Sequence, residues 1–170
     1  MERIEIIEKE IGDVIEIEER VPMWKMSSVM AKDFTLILEH LKSRDVDCKE
    51  APYARYLNID WDLEMKIGAF ANFIRIFTKQ WHFRVDMPTS TKIEGVNNQI
   101  YRKIQNKKYI KTIHYGPYQK VGETYKKMYA WAKSQNLSFE NESLEFYLND
   151  PKETSKESLE TMVLIPVVSK

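Results

Sequence analysis

The tripeptide Tyr56-Leu57-Asn58 recurs 91 positions later as Tyr147-Leu148-Asn149, inside the longer echoes RYLNID (55–60) and FYLND (146–150). Such self-similarity constrains the fold more than any single motif, because each copy must be one supersecondary unit. Upstream of each echo lies a helical pattern, over 34–46 and over 118–137. In the second, Val121, Tyr125, Met128, Tyr129 and Ala132 follow three- and four-residue steps and mark one apolar face. Strand candidates precede the helices at 23–30 (MWKMSSVM) and 108–115 (KYIKTIHY), and others follow the echoes at 81–88 and 160–168. Each half therefore reads strand, helix, strand, strand. The predicted fold class is α+β: tandem pseudo-two-fold βαββ repeats, about 14–90 and 98–168, sharing one antiparallel sheet with both helices on one face.

Two segments stand outside this pattern. VIEIEER (14–20) alternates Val14, Glu16 and Glu18 against Ile15, Ile17 and Glu19, and is expected to extend the first strand. In 66–79 the residues Phe70, Phe73, Ile74 and Phe77 have helical spacing, which predicts a short amphipathic helix with a strand as the alternative. With 170 residues, a 43% hydrophobic fraction and 12% aromatics, the chain can bury one core as a single domain, 1–170.

Charge excludes more than it suggests. The 26 basic and 26 acidic side chains cancel, leaving no electrostatic footprint for nucleic acid or anionic lipid, so neither nucleic acid nor membrane is an expected partner. The apolar run IGAFA is far too short to span a bilayer, and the acidic start MERIEIIEKEIGD is unlike a signal peptide. Cys48 is the single cysteine, so no internal disulfide is expected, and a cytoplasmic setting fits. No phosphate-cradling glycine motif occurs, and His40, His82 and His114 lack ligand-like spacing, so neither cofactor nor metal is expected. His114 reads as a hydrogen-bonded turn residue, and Cys48, among acids, is not expected to act as a nucleophile.

The carboxyl half carries three motifs: the turn HYGPY (His114–Tyr118) opening a helix, the strand EFYLNDP (Glu145–Pro151), and the terminal Ile165-Pro166-Val167. Together they resemble the GyrI-like small-molecule-binding family, a tandem SHS2 fold also seen as the effector-binding domain of AraC-type and multidrug-responsive regulators. The resemblance covers roughly 14–168 and is weaker in the amino half. It implies a cytoplasmic protein whose cleft captures hydrophobic, often cationic, organic molecules through a central glutamate, and Glu145 matches that position.

Strand alternation places Leu144, Phe146 and Leu148 on one face and Glu145 and Tyr147 on the other. The apolar trio is expected under the helices, which would leave Glu145 and Tyr147 in a cleft on the opposite face. Their side chains should emerge roughly 6–7 Å apart. Tyr56, the echo of Tyr147, joins them as a ligand-binding candidate, with Trp24 and Met26 from the first strand and Trp81 from the strand after the echo. Trp81, Phe83, Val85 and Met87 alternate with His82, Arg84 and Asp86 as in a half-buried strand. Two function classes follow. One is a binding module for a small organic ligand; the other, known among stand-alone relatives, is a hydrolase of strained cyclopropane-type electrophiles with Glu145 and Tyr147 as catalytic residues.

Overall fold

The structure is a computed structural model that describes residues 3–67, 75 and 78–169. The elements run β1 (Glu5–Lys9), β2 (Gly12–Pro22), α1 (Met23–Ser43), β3 (Tyr53–Leu57), α2 (Trp61–Lys66), β4 (Gln80–Pro88), β5 (Gln99–Ile104), β6 (Lys107–Tyr115), a 3-10 turn (Tyr118–Lys120), α3 (Val121–Ser134), β7 (Leu137–Phe139), β8 (Glu142–Tyr147) and β9 (Glu160–Ser169). The expected helix around Phe70, Phe73, Ile74 and Phe77 falls on residues outside the described ones.

The strands form one antiparallel sheet in the order β1-β6-β9-β8-β3-β4-β2-β5, with β7 attached to β9. The two predicted βαββ units are β2-α1-β3-β4 and β6-α3-β8-β9, and they meet where β3 pairs with β8. Ala54 is the register partner of Glu145 there, and these two residues are also 91 positions apart. A residue facing its own counterpart across an antiparallel pair marks the local dyad, so the pseudo-two-fold axis passes between Ala54 and Glu145. The helices obey the same offset: the buried Asp33, Ile37 and Leu41 of α1 recur as the buried Thr124, Met128 and Ala132 of α3. Strands β1 and β5 were not foreseen. Each precedes one unit in sequence but pairs with the other unit's first strand, β1 on β6 and β5 on β2, which ties the halves together.

One sequence expectation is corrected here. Residues 23–30 are not a strand but the start of α1. Met26, Met30, Asp33, Ile37 and Leu41 form an unbroken stripe at three- and four-residue steps, which outweighs a short alternation of Trp24, Met26 and Ser28. Pro22, extended at φ −67° and ψ 153°, closes β2 and precedes the first helical residue. The first strand is thus 12–22, built on VIEIEER itself.

Both sheet faces are buried. On the helix side, Ile15, Ile17, Ala54, Phe83, Val85 and Met87 pack with Met30, Ile37 and Leu41 of α1, while Ile110, Val163 and Ile165 pack with Met128 and Ala132 of α3. On the other side Val14, Tyr53, Tyr109, Leu144, Phe146 and Leu164 form a separate cluster. Beside it lies a charged network. Glu16 and Asp86, register partners and both 0% exposed, share the guanidinium of Arg55 at 2.5 and 3.3 Å, and Arg84 and Arg102 also reach Glu16. Burial holds the Asp86 carboxyl above its ordinary range, against the opposing pull of Arg55. No helix among the described residues is long and apolar enough to cross a membrane.

Candidate functional site

Glu145 sits at the middle of the sheet with 5% of its surface exposed. Its register partners Ala54 and Val163 belong to the helix-side clusters, so its side chain points between α1 and α3. The expected parity holds, since Leu144 and Phe146 lie on the opposite face. The expected side does not: Glu145 and Tyr147 lie under the helices, and Leu144 and Phe146 face away from them. Alternation separates two faces but carries no information on which one the helices cover, and here Leu148 is exposed rather than packed.

Three phenols converge on this carboxylate. Tyr125 of α3 donates to Oε1 at 2.7 Å, and the hydroxyls of Tyr56 and Tyr147 stand 3.5 Å from Oε2. Tyr125 Oη also lies 3.1 Å from Ser143 Oγ; with its single proton committed to Glu145, it accepts from the serine. One oxygen is therefore firmly held, while the other has two long contacts and unused acceptor capacity. The Tyr147 hydroxyl is closer than the 6–7 Å expected from Cβ spacing, because the long side chain folds back over its own strand.

Aromatic rings build the walls. Phe34 meets the Tyr147 ring edge-on at 6.0 Å, and Tyr118 does so at 5.3 Å. Trp81 meets Tyr56 edge-on at 6.5 Å, and Trp61 backs Tyr125 at 5.5 Å. Tyr56, Tyr147, Phe34 and Trp81 are half-buried around the buried acid.

Electrostatics make this acid unusual. Burial raises its pKa from 4.5 to about 7, against the opposing pull of the three tyrosines, of which Tyr125 acts most strongly. Among the described residues it has no ion-pair partner. Burial, and next the charge of Glu145, push the Tyr56 and Tyr125 hydroxyls well above 10; Tyr147 rises too, through burial and then the neighbouring Tyr56. The phenols thus serve as donors, not as phenolates.

Of the six candidates from the sequence, Glu145, Tyr147, Tyr56 and Trp81 come together. Trp24 does not: on the first turn of α1 it is 61% exposed, with Lys25 Nζ 4.9 Å over its ring. Met26 is half-buried against the same core cluster that Phe34, Tyr56, Trp81 and Tyr147 pack on. Sequence reading missed Tyr125, Ser143, Phe34 and Tyr118. Tyr125 had been placed on the apolar face of its helix; the signal available was a hydroxyl on a face meant for the core. His114 is hydrogen-bonded as expected but lies in β6 just before the turn, with Nδ1 2.9 Å from Thr124 Oγ1 and Nε2 3.2 Å from Pro117 O; the turn itself holds Gly116 at φ +108°. Among the described residues no group of three or more His, Cys, Asp or Glu is arranged to hold a metal ion.

Two surface depressions lie away from Glu145. One, of about 500 Å³, is bounded by Asp60, Trp61, Asp62, Tyr129, Lys133 and Phe139. The other, between β6, α3 and the amino end, includes Arg3, Thr112, Tyr115 and Trp131. Neither includes Glu145, and the polar lining of the first is engaged internally, with Asp62 accepting from Tyr129 and pairing with Lys133.

Comparison with known proteins agrees with this architecture. The family model for the GyrI-like small molecule binding domain matches residues 66–168. No curated protein matches the sequence. Among solved structures, the C-terminal domain of EcmrR superposes with a TM-score of 0.76 at 17% identity, covering 100% of this chain and 99% of that one. The chain spans 58% of the EcmrR chain seen in a DNA complex. A hydrolase from Listeria innocua gives 0.62 at 11% identity over 98% of this chain and 92% of that one. SAV2435 bound to tetraphenylphosphonium gives 0.57 at 10% identity over 99% and 94%. At these identities the likeness shows the fold alone.

Proposed function

Since this chain belongs to the GyrI-like family of small-molecule-binding domains, we propose that its cleft captures hydrophobic organic cations, with Glu145 as the counter-charge and Tyr56, Tyr147 and Trp81 as the aromatic walls. The observation that carries this reading is the unpaired buried acid. An isolated carboxylate costs several kcal/mol to bury, as an order of magnitude, and three phenols relieve only part of that. A ligand cation completes the site, and each aromatic face adds roughly 0.5–2 kcal/mol. The solved SAV2435 complex supports the choice of probe. Charge balance argues against nucleic acid as a partner of this domain's surface, and that exclusion is likewise proposed on charge alone.

Titration with tetraphenylphosphonium tests the reading. The Glu145→Gln variant keeps the shape and is expected to lose roughly tenfold or more in affinity, the scale of one buried charge pairing, while a neutral aromatic probe binds as before. Equal loss for both probes would show a shape defect and sink the charge role.

A second reading draws on the same geometry. An acid with a pKa of about 7, two phenol hydroxyls 3.5 Å from one oxygen and a third fixing the other, has the parts of a general base that activates water against a strained electrophile. In that case Glu145→Ala should slow turnover of a cyclopropane-bearing electrophile about a hundredfold, within the range general bases contribute. Tyr147→Phe should slow the chemical step without weakening binding. Absence of turnover by the parent protein, with cation binding intact, leaves the binding module.

A further inference from the structure

The aromatic surroundings of Glu145 already hold a cation of the protein's own, against the Trp81 ring. Lys79 Nζ lies 3.8 Å from the centre of the Trp81 ring, and Trp81 in turn meets Tyr56, one of the hydroxyls at Glu145. The ammonium is tethered from the other side by Glu64 of α2, at 2.5 Å, and the same carboxylate takes a forked pair of hydrogen bonds from Arg75 at 2.6 and 3.0 Å. Trp81 Nε1 is buried with no hydrogen-bond partner, so the indole is incompletely satisfied in this arrangement.

Resting on the cation reading of the site, we propose that Lys79 is a built-in competitor: its ammonium occupies the Trp81 face, and a ligand cation binds there by displacing it from the ring while it stays paired with Glu64. The lysine is two residues from the ring it covers, so its effective concentration at that face is high. A small, strongly hydrated cation gains too little from one ring face to displace it. A broad hydrophobic cation, which also covers Tyr56 and reaches Glu145, gains enough. Lys79 thus sets selectivity: it filters ligands by apolar area as well as by charge, without touching Glu145. Glu64, already hydrogen-bonded to the ammonium, keeps it paired once it leaves the ring.

Paired substitutions distinguish this from a merely structural lysine. Lys79→Met keeps the stem and removes the charge; Lys79→Arg keeps the charge and stacks more firmly on an indole. Titrated with tetraphenylphosphonium, Lys79→Met is expected to bind about three- to tenfold more tightly than the parent and Lys79→Arg more weakly. A lysine that only braces the fold would shift both variants in the same direction, and that outcome overturns the proposal, as does an unchanged affinity in both. If the parent binding is insensitive to Glu145→Gln, the cation reading of the cleft itself fails and this inference falls with it. If binding depends on Glu145 while the two Lys79 variants match the parent, only the inference fails.

Discussion

Replacing Arg55 by alanine is expected to lower unfolding stability by about 3–5 kcal/mol, the scale of breaking a buried ion pair from one side. Arg55 is the one guanidinium that reaches both Glu16 and Asp86, and both carboxyls are fully buried. Removing it strands Asp86 without an ion-pair partner among the described residues, while Glu16 keeps Arg84 and Arg102. Urea denaturation checks this: the midpoint should fall with little change in slope, because the surface exposed on unfolding is unaltered. Arg102→Ala is the comparison, since that side chain is 44% exposed and should cost about 1 kcal/mol or less. Similar losses from both variants would mean that the network is solvated in practice and that burial does not govern it.

The second large effect concerns Glu145 and pH. Its carboxyl is raised in the folded protein, from 4.5 to about 7, by burial. A raised folded-state pKa contributes stability that is fully present below the unfolded value and is lost as pH rises through the folded one. The unliganded protein should therefore lose roughly 3 kcal/mol relative to the Glu145→Gln variant between about pH 4.5 and 7, and level off above. A bound cation favours the ionised acid, so affinity for a permanent cation should climb over the same window and plateau above pH 7. Paired denaturation series of parent and variant test the first statement, and titrations from pH 5.5 to 8 the second. Parallel pH profiles for parent and Glu145→Gln would show that the acid is ionised throughout and hydrated through the cleft mouth.

Much of this was readable in the sequence because it rests on local periodicity. The alternation of Trp81, Phe83, Val85 and Met87 against His82, Arg84 and Asp86 translates directly into a strand with an apolar helix-side face and a charged far face. The shared face of Glu145 and Tyr147, and the equivalence of Tyr56 and Tyr147, follow from the same period of two and from the 91-residue echo. What was not legible depends on distant parts of the chain. Which face the helices cover is decided by packing across the whole sheet, and a curled sheet that buries both faces removes the polarity cue. The exchange of β1 and β5 between the halves leaves no local trace, since EIIEK and QIYRKI are short and mixed in character. Tyr125 escaped because an aromatic at a helical step reads as core whether or not its hydroxyl has an acid to serve. Residues 23–30 misled because eight positions satisfy two periods at once, and the arbiter, the continuation of the stripe through Leu41, lies beyond them.

The placement of Glu145 against Ala54 bears on how such a site can arise at all. A symmetric homodimer of a single βαββ module would set the same residue on both sides of its dyad: two acids, roughly 4.5–5.5 Å apart at Cβ, or none. Two acids so close cannot both ionise in a buried setting, so one would carry a proton and the pair would hold a single negative charge at a cost. Duplication within one gene frees the copies to differ, and here alanine in one and glutamate in the other leave a lone carboxylate among two ring pairs at the 91-residue offset, Tyr56 with Tyr147 and Phe34 with Tyr125. The stoichiometry that results is one buried carboxylate at the dyad per two modules. Under the proposed cation binding, a ligand rotated by a half turn would meet the same acid but different walls, because Trp81, Tyr118 and Trp61 have no aromatic counterpart 91 positions away.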